Sequence, residues 1–104
     1  MISRTAAIAA FETIQQNHGE VRLSADALPE TAGGILADLR EATDAEVAST
    51  EVQSNLRTVF KLTGDQAAFQ AERLSRGAQS SPAQRAAYER AAAIASVCSA
   101  ALAA

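Results

Sequence analysis

Residues 81–104 read SPAQRAAYERAAAIASVCSAALAA, and this stretch has the clearest helix start in the chain. Ser81 is a good N-cap, Pro82 suits the first helical position because its missing N–H would be unpaired there, and Gln84 completes a capping box. Small and apolar side chains then recur at spacings of four and three residues, at Ala87, Ala91, Ile94, Cys98 and Ala101. The stretch therefore predicts a long C-terminal helix with a seam that lets another helix approach closely.

Composition extends this prediction to the whole chain. Alanine, the best helix former, occupies 26 of the 104 positions, whereas there are three Phe, one Tyr and no Trp. Aromatic and β-branched residues, which favour strands, are few. The length is that of one domain. We therefore expect a single all-α domain over residues 1–104, folded as a compact bundle of four to five helices.

The first helix is expected over residues 2–17. Ser3 can cap its start, and Gly19 is a natural stop after its end. Its apolar face would be formed by Ala7, Phe11, Ile14 and His18. Residues 20–23 alternate polar and apolar side chains, which is typical of a very short strand or of an extended connector.

A second helix is expected to begin near Pro29. Gly33 and Gly34 interrupt its pattern, so that either the helix restarts at Gly34 or the pair allows another backbone to approach closely. The buried stripe of this helix would be supplied by Ile35, Leu36, Leu39 and Ala42.

Three later stretches match the capping box, in which a hydroxyl and a carboxyl or amide satisfy free N–H groups reciprocally. They are Thr43-Asp44-Ala45-Glu46, Thr50-Glu51-Val52-Gln53 and Thr63-Gly64-Asp65-Gln66. One of the first two is expected to start a third helix that ends near Leu62, and the other to be a solvated turn. The inward side chains of that helix would be Val52, Leu56, Val59 and Phe60. The last match predicts a fourth helix from there to about Arg76, ended by Gly77, with an inward face of Ala67, Ala71 and Leu74.

Charge is divided unevenly along the chain. Residues 1–52 carry a net charge of −6 and residues 53–104 carry +3. The acidic half disfavours nucleic acid as a partner, because affinity for phosphates comes from Lys and Arg. The densest carboxylates are Asp38, Glu41, Asp44, Glu46 and Glu51. They form either a solvated face or an acidic patch that binds a basic protein surface, and the second case includes occupation of a groove that a partner uses for phosphates.

An arginine set near the expected end of the fourth helix is the second candidate binding surface. It consists of Arg73, Arg76, Arg85 and Arg90. Arginine is favoured at interfaces because its planar fork pairs with carboxylate or phosphate at two points. The alternative is intramolecular, with these cations neutralising the acidic first half through weak surface pairs.

No residue pattern points to catalysis, a cofactor or a metal. His18, the single histidine, is expected to interact with the end of the first helix, and Cys98 to be a buried small hydrophobe in an uncharged helix. Gly33-Gly34 lacks both phosphate-loop patterns. The carboxylates match no calcium loop, and few aromatic residues are present to line a sugar-binding cleft. We expect a non-enzyme without a small-molecule substrate.

Self-association is also predicted. Residues 91–104 carry no charge, so this part of the last helix must be covered either within the monomer or by a second copy. A homodimer through Ala87, Ala91, Ile94, Ala95 and Cys98 is the expected form of the second case. No run approaches the ~20 apolar residues of a membrane span. The apolar run of residues 5–11 fits an amphipathic helix better than a signal peptide, and we expect a cytoplasmic protein.

These observations favour a small protein-binding module that acts stoichiometrically, as an inhibitor or adaptor that occludes or bridges a larger macromolecular machine. Abundant Ala and Arg with one Lys indicate a GC-rich genome, and hence a bacterial or phage setting. The alternative is a structural subunit that self-assembles through its C-terminal helix. A DNA-binding regulator is disfavoured by the net charge and by the lack of a basic reading helix.

Overall fold

A computed structural model describes residues 1–17, 29–77 and 81–104, and these residues form five helices. They are α1 (Arg4–Asn17), α2 (Pro29–Glu41), α3 (Asp44–Val47), α4 (Thr50–Ser75) and α5 (Pro82–Ala103). The predicted all-α bundle of four to five helices is confirmed. The predictions for His18, Gly19 and the extended segment 20–23 lie outside the described residues.

The two longest helices, α4 and α5, form an antiparallel hairpin. Gly64 of α4 faces Cys98 of α5 so closely that a Cβ atom at position 64 would lie 2.9 Å from the Cys98 Cβ. One end of the pair is joined by the Arg57 guanidinium, which donates to the Leu102 carbonyl at 3.5 Å. The hairpin sets the long dimension of the molecule, which measures 47 × 23 × 21 Å. The predicted seam of α5 is what permits this approach, because its side chains are small.

The core lies where α1 crosses the hairpin. The rings of Phe11 from α1 and Phe60 from α4 stack with centroids 4.8 Å apart, and both side chains are fully buried. Ile14 and Ile94 are buried in the same core cluster. Fully burying such a side chain stabilises a fold by ~1.5–3 kcal/mol, so these few bulky residues contribute much of what an alanine-rich chain can gain.

The helix break predicted at residues 62–63 is wrong, because α4 runs unbroken from Thr50 to Ser75. Thr63 is only 2% exposed and points into the core, so it does not cap a helix start. Gly64 lies at the contact with α5. Tertiary packing therefore overrides a local cap signal here. The inward face that was expected for a separate fourth helix is present as part of α4, with Ala67 buried and Leu74 half-buried.

Two other local expectations are corrected. Thr43 caps α3, a helix of four residues, while the N-cap of α4 is Ser49 instead of Thr50, because the Ser49 hydroxyl accepts a hydrogen bond from the Val52 N–H at 3.3 Å. Gly33 and Gly34 lie inside an unbroken α2. A Cβ at Gly33 would meet only the Gln15 amide at an ordinary 3.6 Å, and one at Gly34 would meet nothing within 4 Å. Neither glycine marks a restart or a close backbone contact.

The two helix starts at which an N-cap was expected, those of α1 and α5, are capped. The Ser3 hydroxyl accepts from the Ala6 N–H at 3.1 Å, and the Ser81 hydroxyl accepts from the Gln84 N–H at 3.1 Å. Each bond satisfies one of the free N–H groups at a helix start. Both predicted N-caps are confirmed.

Candidate protein-binding surface

A half-open groove of about 350 Å³ lies between α2, α3 and the first turns of α4. Its floor and walls are mainly apolar, formed by Ile35, Leu39, Ala42, Val47, Val52, Leu56 and Val59. The polar residues along it are Asp38, Glu46 and Asn55. α3 contacts α4 directly, whereas α2 packs mainly on α1, so the sides of α2 and α4 remain apart above the groove.

Two side chains that sequence reasoning missed hold this corner of the molecule together. The Gln53 amide accepts from the Ile2 N–H at 2.9 Å and donates to the Ile2 and Val47 carbonyls, each at 2.8 Å. Arg4 donates to the Leu39 and Arg40 carbonyls at 3.0 Å each, which places a cation at the C-terminus of α2. The bonds from Gln53 to Ile2 and from Arg4 to α2 join residues 35 or more positions apart along the chain, so only the fold reveals them.

The five carboxylates of the predicted acidic patch occur in consecutive elements around the groove, and all five residues are exposed. We call them the acidic corner: Asp38, Glu41, Asp44, Glu46 and Glu51. Asp38 and Glu46 line the groove itself. The corner can therefore present negative charge beside an apolar channel, which solvated carboxylates alone would not do.

Glu46 also has a structural role. Its carboxylate accepts from the Thr43 N–H at 3.0 Å, while the Thr43 hydroxyl accepts from the Glu46 N–H at 3.1 Å. The hydrogen bond from the backbone and then that from the hydroxyl of Thr43 lower the pKa of Glu46. Glu46 is consequently a poor choice for testing partner binding, since replacing it would also remove its half of the capping box of α3.

The arginine set is split between two helices. Arg73 lies over the Phe69 ring, 6.0 Å from its centroid, and Arg76 pairs with Glu72 at 3.7 Å on the same helix. Arg85 is nine residues from buried Ile94 on α5 and therefore lies on the opposite face of that helix. Arg90 is half-buried. Within the described residues, no ion pair joins this set to the acidic corner.

A stripe along α4 is the part of the surface that sequence reasoning missed. We call it the outer stripe; it consists of Val52, Asn55, Val59, Leu62, Gln66, Phe69 and Arg73. Leu62 and Phe69 are each 61% exposed, although both are large and apolar. The stripe begins in the groove, at Val52 and Val59, and continues beyond it. Its spacing of three and four residues is visible in the sequence, but only once α4 is known to be one continuous helix.

The small-residue seam of α5 lies inside the monomer. Ala91, Ile94 and Cys98 are fully buried, and Ala87 and Ala95 are half-buried. The central residues of the seam are therefore covered within the monomer and not by a second copy. A homodimer through those buried side chains would require the hairpin to open.

Cys98 is a buried thiol, as predicted. A shallow depression between α4 and α5 runs past it, but the side chain has no exposed surface. Burial raises the pKa of the Cys98 thiol to about 12. The reactive form of cysteine is the thiolate, so this thiol is inert at neutral pH in the folded protein.

The described residues contain no group of three or more His, Cys, Asp or Glu side chains that could hold a metal ion. Among the described helices, none combines the length and the apolar character that crossing a membrane requires. No protein-family model matches the chain, and neither a search of curated proteins nor a search of solved structures gives a match.

Proposed function

We propose that this chain is a small, non-catalytic protein-binding module that acts stoichiometrically, as an inhibitor or adaptor that occludes or bridges a larger bacterial or phage assembly. The observation that carries the proposal is the apolar groove bordered by the exposed acidic corner. Apolar contact in the groove supplies affinity, and the carboxylates attract a basic partner and orient it.

The shape of the groove favours a protein over a small ligand. Small-molecule sites are concave and combine apolar walls with a few convergent polar groups. Here the groove is half-open, and two of its three polar residues are carboxylates that belong to the exposed acidic corner. An arrangement of this kind fits a protruding element of another protein, such as one side of a helix.

Charge reversal at the acidic corner tests the proposal. The triple variant Asp38→Lys, Glu41→Lys, Asp44→Lys should stay folded and lose the capture of a partner from the native host, identified by mass spectrometry and recovered at a fixed stoichiometry. The matched control is Asp65→Lys, Glu72→Lys, Glu89→Lys, which changes the net charge equally at exposed sites on α4 and α5. Equal capture by both triple variants, or no stoichiometric partner for the unmodified chain, would refute the proposal.

A further inference from the structure

The outer stripe has the side-chain pattern of a coiled-coil seam. Its seven members follow one another at alternating steps of three and four residues from Val52 to Arg73, which is the heptad spacing of helices that supercoil around each other. The face of α4 that packs on α5 and α1 is a different one, marked by buried Leu56, Phe60 and Ala67. α4 therefore carries two lengthwise seams. In the described chain α5 and α1 pack along one of them, whereas the other meets α2 and α3 only at its groove end.

We infer that the outer stripe is the contact surface of an antiparallel coiled coil between the α4 helices of two copies of this chain. A two-fold axis between Phe60 and Lys61 matches each of the six stripe positions from Val52 to Phe69 with another of the six, equally far on the other side. Val52 then meets Phe69 of the second copy, and Val59 meets its Leu62. Such a contact is isologous, the commonest arrangement in homo-oligomers.

The symmetry of the stripe is the first argument for a second copy as the occupant. Each half of the stripe, read outward from the axis, offers apolar residues at the positions where the other half needs them. The smaller valines lie in the groove half, and the larger Leu62 and Phe69 lie in the exposed half. Phe69 of the second copy would enter the groove at Val52, so the protruding ring and the half-open channel of about 350 Å³ fill one another.

The polar members of the stripe also match under the same axis. Asn55 meets Gln66 of the second copy, and both residues are exposed. Their amides can each donate and accept, so the pair satisfies itself inside the contact. A single polar layer in a coiled coil typically fixes register and orientation at some cost in stability.

Charge supplies the last argument. Arg73 and then Arg76 of the second copy lie beyond Val52 of the first copy, toward its acidic corner. By symmetry the same contact forms twice. A parallel arrangement would instead place the acidic corners of the two copies together. Because the contact uses the groove, dimerisation would compete with capture of a foreign partner there, but it does not depend on such a partner existing.

Cross-linking tests the register directly. The variants Asn55→Cys and Gln66→Cys are mixed and treated with a short thiol-to-thiol cross-linker. The mixture should give a covalent dimer, whereas each variant alone should not, because its two copies of the thiol lie about 16 Å apart along the helix axis. The unmodified chain, whose Cys98 is buried, should remain uncoupled. Coupling within either single variant, or none in the mixture, overturns the proposal.

Solution mass tests the dimer independently. The unmodified chain should run at twice its 10.8 kDa mass at high micromolar concentration by size-exclusion chromatography with light scattering. Leu62→Glu should raise the dissociation constant more than about tenfold, because the lost apolar contact occurs twice. Ser54→Glu adds the same charge at an exposed α4 position off the stripe and should leave the dimer intact. A 10.8 kDa species for the unmodified chain overturns the inference and leaves the foreign-partner proposal standing.

Discussion

The two lengthwise faces of α4 carry similar side chains and have opposite surroundings. Phe60 lies on the inner face, the one that packs on α5 and α1; it has no exposed surface and stacks on Phe11. Phe69, nine residues later, is 61% exposed and has the guanidinium of Arg73, from its own helix, over its ring. Residue type does not separate the two rings. What separates them is the supply of covering helices, because α5 and α1 cover Phe60, whereas no described element covers the outer face at Leu62 and Phe69.

The energetic consequence is that α4 carries positions at which substitution should destabilise the fold strongly on one face, and positions that should tolerate substitution on the other. The inner face packs closely against α5, and Gly64 leaves room there for the Cβ of Cys98. The outer face leaves apolar area for contact with another molecule. An exposed apolar stripe is stable in a monomer only at a cost in solubility, which is why such surfaces mark interaction sites.

The same substitution on the two faces should give the largest contrast. Phe60→Ala should lower the free energy of unfolding by about 3–5 kcal/mol, because it removes a fully buried ring and leaves a cavity beside Phe11. Phe69→Ala should change it by less than about 0.5 kcal/mol at concentrations where the chain is monomeric. Urea denaturation followed by circular dichroism measures both. Similar losses for the two variants would mean that the faces of α4 do not differ in packing.

Glycine substitution should give an intermediate effect that differs in sign between two helices. Gly64→Ala should destabilise by about 1–3 kcal/mol, since the new Cβ would lie 2.9 Å from the Cys98 Cβ and force the hairpin apart. Gly34→Ala should stabilise by about 0.5–1 kcal/mol, because nothing lies near the new methyl group and alanine is the better helix former. Thermal or urea unfolding decides the signs. Stabilisation by Gly64→Ala would show that α4 and α5 are farther apart than described.

A change in pH should have a smaller effect than Phe60→Ala and depends on Cys98, which packs against the inner face of α4. The folded chain holds the Cys98 proton up to a pKa of about 12, whereas an unperturbed thiol has a pKa of 9.0. Above about pH 9 the unfolded chain therefore binds fewer protons, and stability falls as the pH rises, by about 1 kcal/mol near pH 10. Comparing the unmodified chain with Cys98→Ala isolates this effect. An identical pH dependence in both proteins would contradict a desolvated thiol.

Several elements were predictable because their signals are local. The cap at Ser81, the cap at Ser3 and the stop at Gly77 each depend on a few adjacent residues, and each is present in the structure. The signal at Thr63 was equally good by the same criteria and was wrong. Burial of Thr63 and the contact of Gly64 with α5 favour continuing the helix. A cap motif shows where a helix can start, and packing decides whether it does.

The candidate site was likewise predictable from the sequence only in part. The acidic corner was found from the sequence because its carboxylates are close together along the chain, and surface exposure is the usual state of such a run. The groove beside it was not found, because it needs Ile35 of α2, Val47 of α3 and Val59 of α4 to meet in space. The outer stripe was missed because a helix expected to end at Leu62 cannot carry a seam that continues to Phe69.

The sequence by itself determined that this chain is helical, since alanine content and capping residues act within a few positions of where they occur. It also determined which side chains carry charge. Only the tertiary structure decided which of the two apolar faces of α4 is covered, because both faces have the same helical periodicity. That choice depends on the closest approach two helices can make, and at Gly64 and Cys98 the absence of one Cβ atom permits it.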